Sequence, residues 1–298
     1  MKKLLAILLA IVMMLAVVAC DDKGDKNNND DDQYKDKTVI KDSETSADGV
    51  DTFYYENVDS ETVIIVGFST TNDKKHPVTI PAYFVNNGGE EPLRVVGIGK
   101  EAFNCSSSVQ TLIFPTEEDY RKVDANFDMS KHSFTIADYA LRECVALESL
   151  TIPAYVTEIG PRAFYGCVVL KTLTFAADSG LKTLADGAFM MCSALESVEI
   201  PASVREIGAN AFYGCDALES VVVNEGTVAI GAQAFEDCVA LAEVKLPTTL
   251  ENIGTYAFQC NPELGARALY KDGLTYEGTS EAVKAYISSL ALEDRPAE

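Results

Sequence analysis

A mainly β, right-handed solenoid with short helical or 3-10 turns is the fold class this sequence predicts, and three observations predict it. The phrase Ile-Gly-x-x-Ala-Phe-x-x-Cys-x-x-Leu-x-x-Leu-x-Ile-Pro keeps returning between residues 97 and 264. Its Phe position falls at Phe103, Leu141, Phe164, Phe189, Phe212, Phe235 and Phe258, in steps of 38, 23, 25, 23, 23 and 23 residues. Each period also ends in a strand-like alternation of apolar and polar residues. A fixed period of this length belongs to stacked coils: one unit cannot bury its apolar face alone, and neighbours bury it together.

Taken from the N-terminus, residues 1–19 read as a signal peptide. Lys2 and Lys3 precede an apolar run from Leu4 to Ala19, too short to span a bilayer comfortably. The run closes on Val17-Val18-Ala19-Cys20, which resembles the bacterial lipobox. That resemblance implies lipidation of Cys20 and cleavage before it; the rival reading is an ordinary secretory signal followed by a chance Cys. Several acyl chains, at about 0.8 kcal/mol per buried methylene, make such an anchor stable. Residues 20–50 begin Asp-Asp-Lys-Gly-Asp-Lys-Asn-Asn-Asn-Asp-Asp-Asp after the Cys and offer little to bury, so they are expected to form a disordered acidic tether. An EF-hand loop is rejected because the central Gly and terminal Glu are missing. Acidic residues directly after the Cys resemble the surface-export signal of lipoproteins in some Gram-negative gut and oral anaerobes. Residues 51–96 are expected to cap the solenoid: Phe53, Tyr55, Val63, Ile65, Val66 and Phe68 suggest a hairpin, and Val78-Thr79-Ile80-Pro81 opens a first distorted unit with a long turn at Asn86-Asn87-Gly88-Gly89.

Within the solenoid, residues 97–264, every coil carries two apolar pieces. Leu147–Pro153, Leu195–Pro201 and Leu241–Pro247 follow Leu-x-x-Leu-x-Ile-Pro, a period of two that Pro stops because it cannot donate to a ladder. Phe175 and Val223 end the same pattern without the Pro. Val156–Gly160, Val204–Gly208 and Leu250–Gly254 follow Val-x-x-Ile-Gly, with Gly expected to permit the sharp turn that follows. Ala-Phe-x-x-Cys then makes the turn, its Phe pointing inward.

This pattern, over roughly residues 78–264, resembles the bacterial BspA-like, or Treponema-type, leucine-rich repeat family. The resemblance implies a curved β-solenoid and a cell-surface or secreted protein; several members of the family are adhesins. Three departures stand out. The long step holds 15 extra residues within Thr116–Ser133, including Tyr120, Phe127 and His132; the 25-residue step adds two around Ala177–Gly180; and Leu141 replaces Phe. Insertions project as loops on one face of a solenoid, so the longer one is either a tolerated excursion or a binding element. After residue 264 the period is lost, and residues 265–298 are expected to supply a C-terminal cap, with Val283, Tyr286, Ile287 and Leu290 on one side of a short helix.

Composition excludes some functions. The chain has 46 acidic and 24 basic residues, and its net charge of −22 becomes −24 once Lys2 and Lys3 are removed. That disfavours nucleic acid and anionic lipid as partners and suits a monomeric surface protein. Of eight cysteines, Cys144, Cys167, Cys192, Cys215 and Cys238 all lie three residues after the Phe position, one per coil. They read as a column of small buried side chains beside Phe164, Phe189, Phe212, Phe235 and Phe258, the repeat core. Stacked disulfides and a metal are the rival readings, and no Cys-x2–4-Cys pair supports a zinc site. Only His76 and His132 are available for general-base work, and no nucleophile, phosphate-loop or zincin motif is present. The expectation is a protein without catalytic residues, metal or cofactor.

The surface therefore carries the functional reading. Outward strand positions give columns: Thr151, Thr174, Glu199, Val222 and Lys245, beside them Ser149, Thr172, Ser197, Ser220 and Glu243, and a further column of Glu148, Lys171, Glu196 and Glu219. The candidate binding face is Glu148, Thr151, Lys171, Thr174, Glu196, Glu199, Glu219 and Lys245. Hydroxyl ladders also stabilise cross-strand pairs with no ligand present. The expected function is a non-enzymatic lipoprotein on the outer membrane of a Gram-negative cell, membrane-bound through its lipid alone, that binds proteins on host or other bacterial cells. The alternatives are an accessory glycan-binding lipoprotein of a nutrient-uptake system and a structural spacer.

Overall fold

The computed structural model describes residues 42–47, 49–84, 91–259 and 276–277. Cys20, Cys260, the turn at 86–89 and the proposed C-terminal cap other than 276–277 lie outside the described residues. Among the described residues no helix is long and apolar enough to cross a membrane.

Two long sheets form the walls of the solenoid. The Leu-x-x-Leu-x-Ile pieces become β4 (His76–Thr79), β7 (Val109–Ile113), β9 (Ser149–Ile152), β11 (Thr172–Phe175), β13 (Ser197–Ile200), β15 (Ser220–Val223) and β17 (Glu243–Lys245), joined by β19 (Tyr276–Glu277). They stack in sequence order as an eight-stranded parallel sheet. The Val-x-x-Ile-Gly pieces become β8 (Phe134–Ile136), β10 (Val156–Ile159), β12 (Thr183–Leu184), β14 (Glu206–Ile207), β16 (Ala229–Ile230) and β18 (Asn252–Ile253) in the opposite sheet. That sheet starts with β1 (Asp42–Thr45), β2 (Asp51–Asn57), β3 (Thr62–Thr70) and β6 (Leu93–Ile98), with β5 (Tyr83–Phe84) pairing on β6.

The N-terminal hairpin is formed by antiparallel β2 and β3, its turn held by Asp59, whose carboxylate accepts from the amides of Glu61 and Thr62 at 2.8 Å. Pairing of β3 with β6 then switches the sheet to parallel. Two expected boundaries shift. Asp42–Thr45 lies within the span expected to be tether, yet it pairs antiparallel with β2, so order begins before residue 51. The solenoid also begins earlier than residue 97, because β4 already pairs in parallel with β7.

The third side of each coil is the Ala-Phe turn, and it is tied to its neighbours as a sheet is. The amides of Phe164, Phe189, Phe212 and Phe235 each donate to an alanine carbonyl in the next coil, at 2.7–2.8 Å. Intervening amides, such as Tyr165 to Arg162, close tight turns inside the coil. This alternation places the residues two before and two after Phe in the left-handed region: Arg162 (φ 54°), Asn210 (56°), Met191 (63°) and Asp237 (58°) adopt it without being glycine. The turns are therefore neither α-helical nor regular 3-10. The glycine of Val-x-x-Ile-Gly also has a different role from the one expected. A Cβ on Gly160 or Gly208 would stand 2.7 Å from the amide nitrogen of Asp138 or Asp186 in the preceding coil. Close approach of backbones excludes a side chain there.

Inside lies one continuous core. Phe164, Phe189, Phe212, Phe235 and Phe258 are fully buried and stack with ring centroids 5.0, 5.4, 5.2 and 5.2 Å apart. Leu141, also buried, stands at the Phe position of its coil.

Candidate functional site

The outer face of the eight-stranded sheet is built by strand alternation: β9 and β13 each read exposed, buried, exposed, buried. Leu150, Ile152, Val198 and Ile200 enter the core, which forces Thr151 and Glu199 outward. Glu148, Thr151, Lys171, Thr174, Glu196, Glu199, Glu219 and Lys245 are all exposed. The charged column has partners: Gln110 Nε2 donates to Glu148 Oε2 at 3.1 Å, and Lys171 Nζ lies 3.8 Å from Glu196 Oε1. Exposed pairs of this kind contribute little to stability.

The face is not uniform. Strands β9 and β11 register at four positions, as do β13 and β15, but β11 and β13 register only at Thr172 and Ser197. The two extra residues in the loop after β11 part the strands. A groove of about 630 Å³ opens there, and Lys171, Thr174, Glu196 and Glu199 all line it. Glu148 and Thr151 lie outside the groove on β9 or just before it, Glu219 precedes β15, and Lys245 stands on β17.

Three lining residues were not among the expected face. Phe175 stands where Ile152 and Ile200 are fully buried, but is itself only half-buried, its ring edge-on to Phe189 at 6.5 Å. Asn224 Nδ2, just past the end of β15, donates to Glu199 Oε1 at 2.9 Å. Pro201 supplies an apolar wall. The missing Pro after Phe175 and the 25-residue step were the signals available in the sequence.

The long insertion is packed rather than projecting. Thr116 and Asp119 form a capping box on helix α1 (Glu117–Arg121). Hydrogen bonds from Lys122, then from Thr116, hold the Asp119 carboxyl down at about 2. Tyr120 and His132 are buried against Tyr155, and the buried Phe127 stacks on Tyr120. Burial, then the Arg94 charge, depresses the His132 pKa to about 4. A smaller cavity of about 300 Å³ beside this cluster is lined by Arg94 together with Asp124, Asp128 and Lys131.

The cysteine column forms a hydrogen-bonded file. Cys144, Cys167, Cys192, Cys215 and Cys238 are fully buried. Each donates to the carbonyl at the Phe position of the preceding coil, at 3.1–3.4 Å. Burial pushes the Cys192, Cys215 and Cys238 thiols above their ordinary range, so they are poor nucleophiles. Among the described residues, no group of three or more His, Cys, Asp or Glu is placed to hold a metal. His76 Nε2 lies 2.9 Å from Asp51 Oδ1, and its Nδ1 lies 3.0 Å from the carbonyl of Lys74. On the turn side, burial and then Asp237 raise the Asp216 carboxyl to about 6, while Tyr213 bonds Asp237 Oδ2 at 3.0 Å.

A family model described as the BspA-type leucine-rich repeat region matches residues 134–265 in six copies. No curated protein matches the chain. Among solved structures, a leucine-rich repeat protein of T. pallidum is 21% identical over 80% of this chain and 92% of its own, with a TM-score of 0.43. A leucine-rich cell-surface protein of Faecalibacterium prausnitzii is 20% identical over 81% and 77%, at 0.38. The pneumococcal vaccine antigen PcpA is 17% identical over 85% and 97%, at 0.40. None of these scores reaches 0.5, and the assignment rests on the repeats themselves. With six copies of that repeat laid coil on coil, residues 134–265 are a BspA-type leucine-rich repeat region.

Proposed function

We propose that this chain is a lipid-anchored, surface-displayed recognition protein that binds a protein partner on host cells or other bacteria through the outer face of its eight-stranded sheet. The observation that carries the reading is the groove in that face. A half-buried aromatic side chain lies in a concavity rimmed by Lys171, Glu196, Glu199 and Asn224, the composition of a protein-binding hot spot with a polar rim. Anchorage rests on the lipobox at Cys20, and an acidic tether after it holds the solenoid away from the membrane. The chain acts as a monomer, since a net charge of −22 opposes self-association.

Two measurements test this. Binding of the tagged, unlipidated chain to arrays of matrix and bacterial surface proteins is expected to give saturable hits that weaken with Glu199→Lys. Hits confined to a parallel glycan array would overturn the protein-binding reading, and silence on both would leave a spacer. Metabolic labelling with a radioactive fatty acid is expected to mark the wild type and not Cys20→Ser; a Cys20→Ser protein that stays membrane-bound would refute the anchor.

A further inference from the structure

Both insertions open a seam in the eight-stranded sheet, and the two seams end differently. Strands β7 and β9 register only at Thr111 and Ser149, just as β11 and β13 register only at Thr172 and Ser197. At the first seam Tyr155 closes the gap: its ring is buried and its hydroxyl donates to the carbonyl of Pro115 at 2.7 Å. The matching segments are Ile152-Pro153-Ala154-Tyr155-Val156 and Ile200-Pro201-Ala202-Ser203-Val204, so Ser203 stands at the second seam where Tyr155 stands at the first. The Ser203 hydroxyl is buried and has no hydrogen-bond partner among the described residues. It makes no bond to Ala176, the counterpart of Pro115, whose carbonyl accepts from the Ser179 amide at 3.1 Å, and the seam stays open as the groove.

We infer that this open seam binds an extended peptide strand that carries an apolar residue and, two positions away, a Lys or Arg. The inference rests on the sheet face being the binding surface. Three features select a peptide. Thr174 and Phe175 on one lip, and Glu199 and Ile200 on the other, have no register partner across the gap. Strand backbone therefore repeats along the groove with the spacing of about 6.6 Å per two residues that an extended polypeptide shares. Phe175 and Pro201 provide an apolar seat. Lys171 is already turned toward Glu196 at 3.8 Å, whereas Glu199 has the amide of Asn224 and, among the described residues, no cation, which suits a basic side chain. Side chains at i and i+2 point to the same side of a strand, so one peptide reaches both sites.

The test uses a fluorescein-labelled peptide of sequence STVTKTS and the full chain, read by fluorescence anisotropy. Saturable binding is expected, with at least a tenfold loss when Lys in the peptide is replaced by Glu. A similar loss is expected when the Thr between Val and Lys is N-methylated, which removes a main-chain donor. On the protein side, Glu199→Lys and Ser203→Tyr are each expected to cost at least tenfold while the melting temperature holds; should Ser203→Tyr fail to fold, Glu199→Lys still decides. Binding indifferent to N-methylation, or to both substitutions, overturns the strand mode, as does an absence of saturable binding. A protein ligand that ignores Glu199→Lys and Ser203→Tyr but responds to Glu219→Lys and Lys245→Glu overturns the groove and leaves the surface reading standing. A chain that binds the peptide but no protein on the arrays does the reverse.

Discussion

The imidazole Nε2 of His132 and the phenol oxygen of Tyr120 lie 3.0 Å apart inside the long insertion, and the same phenol donates to the carbonyl of Val95 at 3.3 Å. With the phenol hydrogen committed to Val95, His132 Nε2 carries its own hydrogen and donates to Tyr120. Protonation would put a second hydrogen on Nδ1, for which the described residues offer no acceptor.

Acid should therefore loosen the insertion. The folded pKa of about 4 lies below the ordinary value of 6.5, so between those values the unfolded chain binds more protons and stability falls as pH falls. The contribution at neutral pH is on the order of 2–3 kcal/mol. Asp216, raised to about 6, works in the opposite sense over the same window, so the measurement is a difference. Urea midpoints at pH 7 and pH 4.5 should drop more for the wild type than for His132→Gln. Equal drops would exclude His132 as the cause.

The phenylalanine stack predicts position-dependent losses. Phe212 stacks on Phe189 at 5.4 Å and on Phe235 at 5.2 Å, so Phe212→Ala loosens two coil interfaces at once and should cost about 3–5 kcal/mol. Phe212→Leu, the side chain present at Leu141, should cost about 1–2 kcal/mol. Chemical denaturation orders the two; equal costs would mean that the ring stack adds nothing beyond apolar volume.

The thiol file should be chemically silent. With Cys144, Cys167, Cys192, Cys215 and Cys238 fully buried and burial disfavouring the thiolate, iodoacetamide should label none of them in the native chain and all of them in urea. Mass spectrometry counts the adducts. Native labelling of Cys192 would show that the coils open far more readily than their ladders imply. Cys215→Ala, which forfeits the bond to Phe189, should cost about 1 kcal/mol.

Gly208 should resist the smallest of changes. A Cβ added there would stand 2.7 and 2.8 Å from backbone atoms of Asp186 and Ala185, which cannot swing aside. Gly208→Ala is expected to lower stability by about 1–3 kcal/mol. Ala185, the residue at the same place one coil earlier, already tolerates a Cβ, so Ala185→Gly should have a smaller effect. Thermal melts compare them.

Much of this architecture could be read from spacing alone, because stacking repeats the same contact at every coil. A Phe every 23 residues places Phe189, Phe212 and Phe235 in one stack, and a Cys three residues later places a thiol beside each. What spacing does not encode is how closely coils approach and where their ladders lapse. The role of Gly160 depends on Asp138, 22 positions away, and the opening between β11 and β13 depends on loop length together with Ser203. The pairing of Asp42–Thr45 was hidden because the polar sequence Asp-Ser-Glu-Thr lacks the apolar alternation of a strand, its stability coming from β2 instead. Nor does the spacing show that the segment after a capped helix packs His132 onto Tyr155 and Phe127 onto Tyr120.

One consequence concerns force. A protein held to a cell at one end and to a partner elsewhere is pulled, and tension along the stack must pass from coil to coil through the three backbone ladders. Single-pair ladders stand at β7–β9, β10–β12 and β11–β13. The first is tied by the Tyr155 hydroxyl and the second is backed by the four-pair ladder of β9 and β11, so the third is a built-in fracture line. Pulled from its ends in a single-molecule trap, the chain should yield there first, in a step that Ser203→Tyr delays. A ligand seated across that line would stitch the two halves together, gripping harder at the place where the load is greatest.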